Sequence, residues 1–131
     1  MRIKIEISVG ELLDKISILS IKRDKIKDSK KLTEINRELL FLEQHGNKIR
    51  SQDDIQYDNF LNKLILINSK LWDIEDKIRV FEKKAAFKDE FISLARNVYF
   101  TNDERFECKN EINDFYGSEI VEVKEYVEYK D

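Results

Sequence analysis

From Asp54 to Lys84 the chain runs about 31 residues without a proline or glycine, roughly 46 Å of helix if unbroken. Within that run Phe60, Leu64, Ile67, Leu71, Ile74, Ile78 and Phe81 alternate spacings of four and three, the seam of a helix packed along a nearly parallel or antiparallel partner. A compact domain of 131 residues is about 36 Å across, so one end of this helix should overhang its own core. A helical bundle with a long central helix is the expected architecture, and the exposed end of the seam favours a symmetric homodimer.

The remaining elements follow from period and capping. Ser8 with Glu11 reads as a capping box, and Val9, Leu12, Ile16, Leu19 and Ile26 recur at helical spacing behind it. Asp28 and Ser29 suit the start of a second helix, Lys30 to about Gln44, which Gly46 would end. Asp53 with Gln56 caps the long helix. A turn near Lys84–Lys88 leads to a fourth helix burying Phe87, Phe91, Leu94, Ala95 and Val98. Thr101 with Glu104 looks like a further capping box, opening a fifth helix from Asn102 to Tyr116 that buries Cys108, Ile112 and Phe115 and stops at Gly117. Arg2–Ile7 alternates charged and apolar residues, and Glu119–Tyr129 is rich in valine, isoleucine and tyrosine. Isolated strands are unstable, so the two are expected to pair. The reading is therefore one mainly α domain, residues 1–131, a four- to five-helix bundle with a small two-stranded sheet joining the N- and C-terminal ends.

Composition removes several classes of function. Lys and Arg number 24 against 27 Asp and Glu, and the net charge of −3 gives no general attraction to nucleic acid or anionic lipid. No apolar run is long enough to cross a membrane, no signal peptide is visible, and the single cysteine forms no internal disulfide, so the expectation is a cytoplasmic protein. Three scattered glycines build neither a P-loop nor a dinucleotide fingerprint. One histidine and one cysteine exclude zinc and di-iron sites, so no metal and no cofactor is expected. Cys108 falls on an apolar helix face and reads as core, and His45 beside Gly46 suits a helix C-terminus. Neither is given a catalytic role.

The polar positions beside apolar seams are the candidates for binding. One step beyond the seam of the long helix runs a row that becomes Asn68, Trp72, Glu75 and Arg79, with Asp76 adjacent. The row suggests that one end of the bundle opens into a polar groove, while the plainer account is a solvated edge with an i,i+4 ion pair. The first helix offers Glu11, Lys15 and Lys22, with Asp14 alongside, and carries Ile18 and Ile21 on a side that another element or a partner must cover. Around the fourth and fifth helices lie Arg96, Tyr99, Asn102, Asp103, Arg105 and Lys109, where a helix start with nearby cations could hold an anion unless Asp103 and Glu104 already neutralise it.

The stretches VGELLDKISILSIK (Val9–Lys22), LWDIEDKIR (Leu71–Arg79), LARNVYFTNDERFECKNEIN (Leu94–Asn113) and GSEIVEVKEY (Gly117–Tyr126) resemble a family of small helical bacterial and phage proteins known only as a domain of unknown function. The loop Gly46–Tyr57 has no counterpart in it. The resemblance implies a fold and recurring polar positions without assigned chemistry.

The sequence thus favours a non-catalytic binding or adaptor module whose groove takes a small anionic ligand or a protein partner. Whether the chain is an enzyme stays open. The alternative is a magnesium-dependent hydrolase of a nucleotide or sugar-nucleotide phosphate, in which Glu11, Asp14, Glu75, Asp76 and Asp103 would converge on the ion.

Overall fold

The computed structural model describes residues 1–130. Four helices follow one another: α1 (Val9–Lys25), α2 (Ser29–Arg50), α3 (Asp54–Lys83) and α4 (Asp89–Tyr116). The expected caps form at three of them. Ser8 accepts from the Glu11 amide, Asp28 from Lys31 and Asp53 from Gln56, each satisfying an amide that the first turn leaves unpaired. Gly117 ends α4 at φ +62°, a conformation glycine adopts without a Cβ clash.

Both α1 and the longer α3 pack against all three other helices, and α1 is the more densely buried, with eight of its seventeen residues inside. Leu13 joins Tyr57, Phe60, Leu64, Ile67, Cys108 and Ile112 in a cluster shared with α3 and α4, while Leu12, Ile16 and Leu19 meet Ile35 and Leu39 of α2 on another face. Helix α3 runs past the core as its length requires: its last buried residue is Ile74, and no residue from 75 to 100 is buried. Ile78 and Phe81 end half-buried, and Phe115, expected inside, is exposed.

Three expectations fail for identifiable reasons. Thr101 starts no fifth helix; it sits fully buried within an unbroken α4, where the preceding turn already satisfies the amides a cap would serve. Gly46 does not end α2. It is buried inside that helix, where an added Cβ would stand 2.5 Å from the Tyr57 hydroxyl and 3.0 Å from Ile16, so this glycine permits close approach of α1 and α3.

No strand forms among the described residues, so the sheet joining the chain ends is absent. The two ends start side by side, with the Val9 amide donating to Ser118 Oγ at 3.2 Å, and then part. Residues 1–7 lean toward α2, with Arg2 over the Phe41 ring, whereas the C-terminal segment folds back along α4.

Candidate functional site

Asp14 on α1 is completely buried. An ionised carboxylate in such surroundings must be paired and hydrogen-bonded, and residues from the two longest helices meet that need. Arg105 of α4 donates from Nε to Oδ1 at 2.9 Å and from Nη2 to Oδ2. Asn68 of α3 donates from Nδ2 to Oδ1, also at 2.9 Å, and to Ser17 Oγ at 2.8 Å. The Ser17 hydroxyl in turn donates to the Asp14 backbone carbonyl at 2.7 Å. The bond to Asp14 raises the pKa of Arg105, outweighing the effect of burial.

This network fixes which atoms remain free. A carboxylate only accepts, so the amide nitrogen of Asn68 must face Asp14, and its two protons are both used there. Its carbonyl oxygen has no hydrogen-bond partner among the described residues. Arg105 has spent one edge of its guanidinium on Asp14, and its Nη1 makes no hydrogen bond among the described residues. Both residues line an open groove of about 470 Å³. Ile18 and Ile21 of α1, with Leu71 and Trp72 of α3, supply apolar and aromatic wall; Asn102 stands on the α4 side. Glu75, Asp76 and Arg79 lie along the α3 rim, where Arg79 Nη1 donates to Glu75 Oε2 at 2.6 Å. Asp76 has no ionic partner among the described residues. Counting Asp14, three carboxylates face two guanidinium groups, so the groove carries a net charge near −1.

The other sequence candidates are placed elsewhere. Lys109 is buried on α4, with Nζ 2.8 Å from Glu11 and 2.6 Å from Glu122, an ion triad joining α1, α4 and the C-terminal segment. Burial pushes its pKa down, and the bonds to Glu11 and Glu122 more than reverse this, so it is raised. Lys15 is exposed, 4.0 Å from Glu11. Lys22 lies in the last turn of α1, outside the groove. Arg96 does not border the groove either; its guanidinium sits 5.6 Å over the Phe100 ring. Tyr99 and Asp103 hold the C-terminal segment, Tyr99 by edge contact with the Tyr129 ring and Asp103 by accepting from the Tyr129 hydroxyl. They border a second hollow of about 600 Å³ that shares Asn102 with the groove.

A family model described as a family of unknown function, DUF6165, matches residues 3–129. The chain belongs to DUF6165. No curated protein and no solved structure matches it. The match includes both extended ends of this DUF6165 chain as well as its four helices.

The five carboxylates of the magnesium reading do not converge. Asp14 is committed to Arg105 and Asn68, Glu11 to Lys109, Glu75 to Arg79 and Asp103 to Tyr129, so four of the five have different partners and only Asp76 is left without one among the described residues. Among the described residues no group of three or more His, Cys, Asp or Glu is placed to hold a metal. Cys108 is enclosed, with burial pushing its thiol up to about 11, and His45 is exposed on α2, so the two form no nucleophile–base pair. Among the described residues no helix is long and apolar enough to cross a membrane.

Sequence reasoning missed Ser17, which follows Asp14 by one helical turn, and Glu122, which lay in a segment read as strand. It named Asp14 and Asn68 without seeing that they share a hydrogen-bond network. Their spacing within each helix was visible, but the contact across 54 residues requires the fold.

Proposed function

We propose that this DUF6165 protein is a non-catalytic binding module, and that the groove between α1, α3 and α4 receives a small ligand. The observation that carries this reading is the position of Arg105: one edge of its guanidinium is fixed on a fully buried carboxylate, and the residue lines the groove together with Asn68, whose carbonyl has no hydrogen-bond partner among the described residues. Buried ion pairs are often no more stable than apolar replacements, so an Asp14–Arg105 pair contributes chiefly by holding the guanidinium in one orientation. A preoriented donor costs less to order when a ligand arrives.

The free donor of Arg105 and the adjacent acceptor of Asn68 together favour a ligand group carrying both an acceptor and a donor. The half-buried indole of Trp72 provides a flat apolar contact next to them. With net charge near −1, the groove favours neutral or singly charged ligands over the polyanions of the nucleotide reading. A thermal-shift screen of small polar compounds tests this, read alongside the emission of Trp72, the only tryptophan. A ligand at 100 times its dissociation constant stabilises by about 2.7 kcal/mol. The reading requires that stabilising compounds perturb the indole, and compounds that stabilise without doing so would place binding elsewhere.

A further inference from the structure

Both ends of the chain are extended and unpaired. Residues 1–7 and 121–130 make no backbone–backbone hydrogen bond among the described residues, so their amides and carbonyls are available to another strand. Each also presents an apolar row to solvent. Ile3 and Ile5 are 78% and 73% exposed, and Val123 and Val127 are 83% and 88% exposed. The alternate residues Glu122 and Lys124 turn instead toward α4, Glu122 to Lys109 and Lys124 over the Phe106 ring. The C-terminal segment is thereby held along α4 as a ready edge with valines outward.

The charges of the two ends are complementary. Arg2 and Lys4 outweigh Glu6 in the first segment, while Glu119, Glu122, Glu125 and Glu128 outweigh Lys124 and Lys130 in the second. Pairing like ends would set like charges against each other; pairing unlike ends sets opposite charges together. Within one chain this pairing does not occur, because the N-terminal end is drawn to Phe41 of α2 and the C-terminal end to α4. A second copy offers the missing complement to each.

We infer that two copies of this protein associate by reciprocal strand pairing, the segment around Ile3 and Ile5 of each copy adding to the segment around Val123 and Val127 of the other. Two-fold symmetry repeats the contact, so two short ladders form and each exposed apolar row meets one row of the other copy. A lone two-stranded ladder is marginal, and the helix already behind the C-terminal segment supplies its support.

Sedimentation equilibrium on the full chain tests this with two variants, Ile3→Ser/Ile5→Ser and Val123→Ser/Val127→Ser. All four side chains are exposed, so the melting temperature of each monomer should stay near that of the parent. The unsubstituted protein should show twice the 15.7 kDa of one chain, and each variant alone a dimer dissociation constant raised at least tenfold. Mixing the variants is decisive. In a mixed dimer both substitutions fall in one ladder and the other ladder is intact, so the mixture should associate more tightly than either variant alone. A parent mass of 15.7 kDa at millimolar concentration, a dimer indifferent to both variants, or a mixture no tighter than its components would each overturn the inference. None of these outcomes bears on ligand binding in the groove.

Discussion

Arg105 and Asp14, 91 residues apart in sequence, are joined through both guanidinium Nε and Nη2, with the carboxylate fully buried. Breaking such a pair leaves a charge without a partner, so Asp14→Ala should cost about 3–5 kcal/mol in chemical denaturation. Asp14→Leu/Arg105→Met, which removes both charges, should recover most of that loss and abolish ligand response. A double variant as unstable as the single one would mean that packing at Asp14, rather than the charge pair, sets the cost.

Glycines at two crossings make a separate prediction. A Cβ at Gly10 would sit against the Lys109 carbonyl well inside contact distance, and one at Gly46 would meet the Tyr57 hydroxyl at 2.5 Å. Backbone cannot yield as a side chain can, so Gly10→Ala should destabilise by roughly 1–3 kcal/mol and Gly46→Ala by less. Equal melting temperatures for the two variants would contradict this ordering.

Those glycines also show where the sequence was readable. Ser8, Asp28 and Asp53 announced their helices because a cap is a local bond between residues three apart. Gly46 and Thr101 carried equally good local signals for helix ends, yet both lie inside helices, since their surroundings are set by residues distant in sequence. The same holds at the groove. Asn68, Trp72, Glu75, Asp76, Arg79, Asn102 and Arg105 were all legible as polar positions beside apolar seams, but which of them share a space depends on how α1, α3 and α4 pack.

Ala85, in the turn between α3 and α4, has φ +52°, where a Cβ is strained. Ala85→Gly should therefore stabilise the protein by about 0.5–1 kcal/mol, the relief of strain exceeding the entropy that glycine adds to the unfolded chain. A lower denaturation midpoint in this variant would be inconsistent with the turn geometry.

Stability should fall on the alkaline side. Burial pushes Cys108 from 9.0 up to about 11 and Tyr57 from 10.0 up to about 12, so the folded chain keeps protons that the unfolded chain releases. Their contribution is complete below pH 9 and is lost as pH rises through about 9–11 for the thiol and 10–12 for the phenol. Urea midpoints across pH 8–11 should decline accordingly, with Cys108→Ala flattening the early part of the decline. In the native protein a thiol reagent at pH 8 should leave Cys108 unmodified until denaturant is added.

The free edge of Arg105 is tested most directly by comparing Arg105→Lys with the unsubstituted protein in one ligand screen. Lysine keeps a cation for Asp14 and removes the second row of donors. At least one compound should raise the melting temperature and shift Trp72 emission in the unsubstituted protein, and its dissociation constant should weaken tenfold or more in Arg105→Lys. Equal affinity in both chains for every compound that stabilises them would contradict a groove built around Arg105.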